Sequence, residues 1–393
     1  MADFDLLLRG GTVIDPAADL VAQRDLAVSG GRISAICDPS ADTSADQVID
    51  VSGLYVVPGL IDFHVHVFPG VSHYGVDADS SCLGRGVTTA VDFGSSGGLI
   101  FDGFREYVLK RAQTRLYSLL HICAQGMLSG KETQPPVGEL SDLRYCDVQK
   151  VVDTVDRHRD CIIGIKIRLT AGLADDGKNE APGLELARKA ADESGLPLFI
   201  HSPGSSLTMP ELLPQLRGGD VLTHCYHGRP CGIVDESLQL LPEVKDKLDD
   251  GLLLDVGHGV GSFSFPVARS MLDASVVGDF ISSDLHQYNI HGPVFDLLTT
   301  MDKFLHLGMD LTDIIRRTTI NPARFLGKQD DIGHLQSGAI ADITVLELID
   351  GEFPLTDSYG KTETGNRRLE VRHVFRAGHQ AKTVRRPEPA IAK

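Results

Sequence analysis

Six side chains that can bind metal ions follow one another at the ends of apolar, strand-like segments. Imidazole nitrogen and carboxylate oxygen are ligands that suit Zn²⁺, which has no redox chemistry. A His-x-His pair alone is a weak signal in a chain with 15 histidines, so the interpretation rests on the ordered set. The set predicts a site for two divalent metal ions, most simply zinc, with iron or manganese as replacements; its members are His64, His66, Lys166, His201, His224 and Asp284.

Lys166 is the unusual member, because a protonated lysine does not ligate a metal. Its amine can react with CO2 to give a carbamate, N6-carboxylysine, which has two oxygens and a negative charge and could bridge two cations. Without that modification the side chain would be a buried charge of the same sign as the metals. The alternative is an ion pair between Lys166 and Asp284 in a metal-free protein.

The spacing of the set predicts the elements that position it. Asp62, His64 and His66 alternate along the chain, so a regular strand would place all three on one face. One βα unit takes about 30 residues, and the later members are separated by about one to three such units. We therefore expect all six residues at the C-terminal rim of a barrel, where active sites of that architecture are built.

Apolar strand-like runs alternate with helical stretches from residue 58 onwards. This alternation predicts an α/β fold, a (β/α)8 TIM-like barrel over residues 57–330. One of the expected helices is VDESLQLLPEVKDKL, residues 234–248. The strands are expected at about 60–67, 87–93, 116–123, 162–168, 196–201, 220–225, 251–257 and 278–284.

Short strand-like pieces at both chain ends predict a second, smaller unit. We expect residues 1–56 and 331–385 to pair into one composite β-sandwich domain beside the barrel. Gly10-Gly11 and Gly30-Gly31 lie between apolar runs, which is typical of hairpin turns. The polar, proline-containing residues 386–393 are expected to be a disordered tail.

The amino-acid composition restricts the classes of binding partner and the cellular compartment that we expect. A net charge of −17 argues against nucleic acid and against anionic membrane surfaces. The seven cysteines show no CxxC spacing, which indicates reduced thiols in the cytoplasm rather than a disulfide framework. The N-terminus lacks the pattern of a signal peptide, and no apolar run approaches the ~20 residues that span a bilayer. We expect a cytoplasmic protein that acts on a small molecule, with a homo-oligomer left open.

With these residues identified, the chain resembles the amidohydrolase superfamily over nearly its whole length. The closer likeness is to the dihydroorotase-like branch of amidohydrolases and deacetylases, through GIKIRL, GDVLTHCYHG and LLLDVGHG. The superfamily likeness lies in GGTVID, VIDVSGLYVVPGLIDFHVH, TINPARFLG and GHLQSGAIADITVL.

The resemblance implies a role for each metal-binding residue. His64 and His66 would hold the more buried zinc together with Asp284, while His201 and His224 would hold the more exposed zinc. Carboxylated Lys166 would bridge the two ions. A hydroxide shared by the ions would attack the scissile carbonyl, and Asp284 would carry its proton to the leaving group as the catalytic acid–base.

Other rim residues are candidates for substrate binding. Arg168 could clamp a carboxylate, and its structural alternative is an ion pair. His258 follows the seventh strand among glycines, where a loop histidine without substrate role is the alternative. His286 and Tyr288 come soon after Asp284 and could line the pocket. Asp62 could hold a histidine ring from behind the metal site, or could instead accept from a backbone or lysine donor. These five candidates lie in the segments DFHVH, KIR, GHG and DLHQY.

Several functions remain to be separated. The first is hydrolysis of an amide or ester bond in a small acylated carboxylic acid, an N-acyl amino acid or O-acetyl α-hydroxy acid. The alternative is a cyclic amide hydrolase of the dihydroorotase or hydantoinase type, although VFPGVSHYG after His66 lacks the asparagine and arginine expected of a dihydroorotase. A non-catalytic interaction protein on the same fold would usually have lost some of the metal ligands, and all six are present in this sequence. A mononuclear deaminase would not need Lys166 and would usually have a glutamate soon after His201, which SPGSSLTMP does not supply.

Overall fold

A computed structural model describes residues 3–40, 42–130 and 137–386. Its strands form one sheet of eight and one sheet of seven. In chain order they are β1 (Phe4–Asp15), β2 (Leu20–Ser29), β3 (Arg32–Cys37), β4 (Ala45–Asp50), β5 (Tyr55–Pro58), β6 (Leu60–Val65), β7 (Val87–Gly97), β8 (Arg115–His121), β9 (Ile162–Arg168), β10 (Leu198–His201), β11 (Val221–Thr223), β12 (Leu253–Asp255), β13 (Ile343–Thr356), β14 (Thr362–Arg376) and β15 (His379–Ala381).

The seven-stranded sheet is the predicted barrel. Strands β6 to β12 are parallel neighbours in chain order. The eighth strand, expected at 278–284, is a short closing segment: Phe280 bridges to Asp255 of β12, and Leu285 bridges to Val65 of β6, both in parallel. Backbone hydrogen bonds from Val256 N to Phe280 O (3.0 Å) and from His66 N to Leu285 O (3.0 Å) support this closure. The (β/α)8-type barrel is therefore confirmed.

Helices connect most barrel strands. The expected helix at 234–248 begins only at Pro242; Val234 and Leu240 instead form a small antiparallel bridge. Proline suits the first helical turn, because it lacks the N–H that a helix interior needs. The helices are α1 (Ala78–Ser81), α2 (Phe101–Phe104), α3 (Val148–Arg157), α4 (Glu180–Ser194), α5 (Met209–Leu212), α6 (Pro242–Asp249), α7 (Phe265–Asp273), α8 (Leu297–His306), α9 (Leu311–Arg317) and α10 (Ile320–Phe325).

Shorter helical turns complete the connections. A π-helical turn spans Arg105–Leu109 and continues α2. The 3-10 turns span Leu83–Arg85, Leu143–Tyr145, Ala171–Leu173 and Leu213–Gln215. Among the described residues, no helix combines the length and the apolar composition that crossing a membrane requires.

The mixed sheet joins both ends of the chain. Its order is β15-β14-β13-β5-β1-β2-β3, with β4 beside β1. Strand β5 pairs with β1 on one side and with β13 on the other, and only Gly59 separates it from β6. The sheet thus supports the strand that carries His64. The domain limits 1–56 and 331–385 stay predictions; Arg386 of the expected tail is described, and residues 387–393 lie outside the described part.

One of the two expected hairpin turns is wrong. Gly30-Gly31 does connect β2 to β3, but Gly10-Gly11 lies inside β1. The pairing of β1 with β2 shifts register there, and Gly10 has a φ of 76° while its N–H donates to the Asp25 carboxylate at 2.8 Å. Glycine is needed because the bulge requires a left-handed residue.

Aromatic rings fill the barrel below the site. The ring centre of Phe63 is 4.0 Å from that of Phe280 and 6.1 Å from that of Phe93. The next residue, His64, stacks on Phe93 at 3.6 Å, so two successive side chains of β6 contact one ring. Strict alternation along β6 was expected to place Asp62, His64 and His66 on one face. That expectation is wrong, because the pairing of β6 with β7 shifts register between Asp62 and Val65.

Candidate active site

The six predicted ligands line a single cavity of about 170 Å³. They come from the ends of β6, β9 and β10, from the residue after β11, and from the closing segment of the barrel. His201 is half-buried and the others are buried. The sequence spacing thus predicted the shared rim, while the role of each residue in binding metal stays a prediction.

Two imidazole nitrogens converge on one carboxylate oxygen at the centre of the site. The Nε2 atoms of His64 and His66 are each 3.3 Å from Oδ1 of Asp284. Possible ligand atoms of His64, His224 and Asp284 all lie within 4.8 Å of one another. Two ligands at about 2.0–2.1 Å from a tetrahedral zinc ion are about 3.3 Å apart. The donor set therefore has the chemistry and the spacing that a divalent cation needs.

Three of the rings are oriented through their other nitrogen. A carbonyl or carboxylate oxygen can only accept, so the Nδ1 atoms of His64 and His224 carry a proton, which leaves Nε2 as the atom that can ligate a cation. This arrangement is typical of metal-ligating histidines. The contacts are His64 Nδ1 to Asp255 Oδ2 (3.0 Å), His66 Nδ1 to Ser95 Oγ (2.9 Å) and His224 Nδ1 to Gly257 O (2.6 Å).

Burial and neighbouring charges together determine the charge of the histidines and of Asp284. Burial lowers the pKa of His66, and it lowers the pKa values of His201 and His224 far below the usual range, so these rings are neutral. Burial also lowers the pKa of His64, but the carboxylates of Asp284 and Asp255 outweigh it and the net pKa is raised, so His64 would give up its Nε2 proton when a cation binds. Burial raises the pKa of Asp284, but the His64 charge and hydrogen bonds from His64 and His66 outweigh it, and the net pKa is well below the ordinary value. Asp284 is therefore ionised at neutral pH.

Lys166 is buried, and no described residue acts as its counter-ion. In the described part of the chain its ammonium makes no ion pair, so the alternative pairing with Asp284 is absent. Its Nζ is 4.5 Å from the centre of the Phe93 ring, and burial lowers its pKa to about 7. Beside it on β8, Nε2 of buried His121 has no hydrogen-bond partner among the described residues. An amine that is partly neutral at pH 7, next to an unpaired polar atom, is compatible with a further group on Lys166.

The four substrate candidates separate into two groups. Arg168 and His286 line the cavity, and burial lowers the pKa of His286 to about 3. Tyr288 lies outside the lining and is 47% exposed, with its ring centre 5.6 Å from that of Tyr74.

His258 is not brought to the cavity. Its buried ring stacks on Phe263 at 4.6 Å, and its Nε2 is 2.6 Å from Nζ of Lys303. The structure therefore does not bring His258 to the cavity that Arg168 and His286 line, because Phe263 and Lys303 hold its ring.

Asp62 acts on the backbone rather than on a ring. Its carboxylate accepts hydrogen bonds from His64 N (3.3 Å) and Ser283 N (3.0 Å), and also from the Ser283 hydroxyl. Burial raises its pKa to about 7. The expected support of a histidine ring comes instead from Asp255, and Asp62 joins β6 to the segment that precedes Asp284.

Several residues of the site were missed. Asp255 ends β12 in LLLDVGHG, so its rim position could have indicated it. Glu139, which pairs with Arg168, lies in a loop with no periodic signal. Gly259 has a φ of 54°, and a Cβ added there would lie 2.4 Å from Oδ2 of Asp284. The close approach of this backbone is invisible in a sequence, since it depends on how two loops meet.

These features define a class: a parallel barrel enzyme whose C-terminal rim carries histidines, a carboxylate and a buried lysine around one cavity. The profile of the amidohydrolase family matches residues 55–381. A deacetylase from Brucella anthropi is 32% identical over 380 residues, which cover 96% of this chain and 91% of that protein.

Solved structures agree. The crystal structure of an adenine deaminase superposes with a TM-score of 0.86 at 30% identity, covering 96% of this chain and 100% of that one. The structure of a dihydroorotase gives 0.86 at 28% identity, covering 96% and 99%. The chain belongs to the amidohydrolase family and is a metal-dependent hydrolase.

Replacing Gly259 by alanine should damage the site more than the fold. The new methyl group collides with the Asp284 carboxylate, so we expect less bound metal together with a loss of about 1–2 kcal/mol for the left-handed backbone. Metal content by plasma mass spectrometry and unfolding in urea measure the two effects. Gly195→Ala is the matched control, because Gly195 has a φ of 65° with nothing within 4 Å of the added atom. Equal metal content in both variants would contradict the role given to Gly259.

Proposed function

We propose that the chain is a binuclear zinc hydrolase that cleaves the amide or ester bond of a small acylated carboxylic acid. The observation that carries this proposal is the convergence of His64 Nε2 and His66 Nε2 on Asp284 Oδ1, each at 3.3 Å, in the cavity that His201, His224 and Lys166 also line. Six potential ligands around one small cavity are hard to explain in a protein that only binds partners.

The ligands divide into two groups. His64, His66 and Asp284 would hold one ion, and His201 and His224 the other. The amine of Lys166, buried and without an acidic partner in the described ranges, would add CO2 and release a proton, and the carbamate would reach both ions. Bound divalent ions supply Lewis acidity, which lowers the pKa of water and polarises an acyl carbonyl.

Asp284 is the group best placed to move a proton. It is ionised because His64 and His66 lower its pKa, so it can accept a proton from the attacking water and give it to the leaving oxygen or nitrogen. The Asn289 amide donates to its backbone carbonyl at 2.7 Å, which helps to fix its place. Asp255 would keep His64 in the tautomer that ligates.

Size and charge favour a small acid as the substrate. A cavity of about 170 Å³ is below the range of about 300–1,000 Å³ typical of drug-sized ligands. Arg168 and Arg229 line it although the chain carries a net charge of −17. The similarity to a protein named deacetylase supports a short acyl group. N-acetyl amino acids and O-acetyl α-hydroxy acids combine these features.

A cyclic amide hydrolase is the second candidate. The fold similarity to a dihydroorotase favours it, and the proposed chemistry would suit ring opening as well. The residues after His66 are its weak point: Tyr74 lines the cavity from that segment, and no arginine or asparagine occurs between Val67 and Tyr74.

A substrate screen separates these functions. Zinc-loaded protein is incubated with N-acetyl amino acids and O-acetyl α-hydroxy acids, both enantiomers, beside hydantoins, dihydroorotate and adenine. We expect turnover only of acyclic acyl substrates, followed by release of acetate. Turnover restricted to the cyclic amides or to adenine would contradict the proposed substrate class.

Lys166→Ala should lose both activity and metal. Without the carbamate the two ions lose their shared ligand, so we expect kcat/KM to fall by more than about 100-fold, the upper end of the cost of a lost supporting residue at a metal site. Added propionate should restore part of the activity of the variant, and it should not increase the activity of the wild type. Full turnover with two ions per chain in Lys166→Ala would show that the lysine does not bridge.

Asp284→Asn removes the proton acceptor, since an amide cannot take a proton at neutral pH. We expect kcat to fall by about 10²–10⁴-fold, measured at equal metal occupancy by stopped assays of acetate release. Asp273→Asn, an exposed acid at the end of α7, is the control and should leave kcat unchanged. A kcat in Asp284→Asn close to that of the control would rule out the proton transfer.

A further inference from the structure

Two arginines line the cavity, but only one has a neutralising partner among the residues that the structure describes. The guanidinium of Arg168 donates to Glu139 through Nη2 (2.5 Å) and Nε (3.3 Å), and its Nη1 donates to the Tyr74 hydroxyl at 2.9 Å. Its three nitrogens are occupied and its charge is matched by a buried carboxylate. A substrate carboxylate would have to displace Glu139 to bind this group.

Arg229 differs from Arg168 both in its exposure and in its ion pairing. It follows His224 by five residues, in the loop after β11, and it is exposed. Over the ranges 3–40, 42–130 and 137–386, no carboxylate forms an ion pair with its guanidinium. Its backbone is nevertheless held, because Arg229 N donates to His227 Nδ1 at 3.1 Å and Gly228 N donates to the Tyr359 hydroxyl at 2.8 Å.

The Arg229 head group lies beside two neighbouring loops, and a glycine on one of them makes room for it. A Cβ added at Gly261, after β12, would lie 2.8 Å from Nη2 of Arg229. A Cβ added at Gly204, three residues after His201, would lie 4.0 Å from Nη1. The guanidinium, which lines the cavity and is exposed, therefore lies at the mouth of the cavity beside these two loops.

We propose that Arg229 binds the carboxylate of the acylated acid, and that Arg168 is a positioning residue that orients Tyr74. This inference rests on the proposed function. An unpaired guanidinium can form two parallel hydrogen bonds to a carboxylate, which provides direction as well as charge. In a chain of net charge −17, such a local cation is what an anionic substrate requires.

The test compares an acid with its neutral ester. Binding of lactate and of methyl lactate to the zinc-loaded protein is measured by calorimetry, and kcat/KM is measured for their O-acetyl esters. We expect the wild type to prefer the acid, and Arg229→Gln to lose about 10- to 100-fold in affinity and kcat/KM for the acid only. Arg217→Gln is the matched control: it changes an exposed arginine that precedes β11, at the opposite end of the same strand.

A second variant tests position rather than charge. Gly261→Ala keeps Arg229 but pushes its flexible end away, so the preference for the acid should shrink while turnover of the methyl ester persists. Arg168→Gln should alter turnover of the acid and of the ester alike.

The outcomes separate the two proposals. An acid preference unchanged in Arg229→Gln, or one lost only in Arg168→Gln, overturns the inference. A wild type that binds lactate no better than methyl lactate overturns it too. If binding of lactate depends on Arg229 but no acetyl ester is hydrolysed, the carboxylate site stands and the proposed function fails.

Discussion

The site depends on one constraint: two imidazole nitrogens and a carboxylate oxygen must meet at 3.3 Å in a buried position. The first two come from the end of β6 and the residue after it, and the third comes from the segment that closes the barrel beside it. Parallel bridges on both sides of that segment, to Val65 and to Asp255, fix the distance. Asp62 adds a direct connection by binding the backbone of His64 and of Ser283. The contacts that close the barrel are therefore also the contacts that assemble the site.

Two residues of the site have a strained backbone conformation. His224 has a φ of 64° and Asp284 a φ of 50°, both in the left-handed region that residues with side chains rarely adopt. Such conformations cost about 1–3 kcal/mol each and persist where the surroundings impose them. Here the strands end early, β11 after three residues, and the turn aims each side chain into the cavity. Gly257 and Gly259 complete the arrangement, since side chains there would collide with His64, His224 and Asp284.

Much of this could be predicted from the sequence. The order of apolar runs predicted the barrel, and the rule that strand ends share a rim predicted that His64, His201 and Asp284 would meet. What failed depended on contacts between distant segments. Gly10-Gly11 resembles a turn but forms a bulge because Asp25 holds its backbone, and His258 faces Lys303 because α8 packs behind its loop. The ring partners Asp255 and Ser95 were missed for the same reason: they become visible only when neighbouring strands are aligned.

Charge connects the site to its substrate. The buried acids and neutral imidazoles favour cations inside the cavity, whereas Arg229 leaves a positive group at its mouth.

Zinc-edge anomalous diffraction from crystals of protein purified without chelators tests the central claim most directly. The account predicts two anomalous peaks per chain, one beside His64, His66 and Asp284 and one beside His201 and His224, with continuous density for a carbamate on Lys166. A cavity with no peak, or a single peak beside an unmodified lysine, would contradict it.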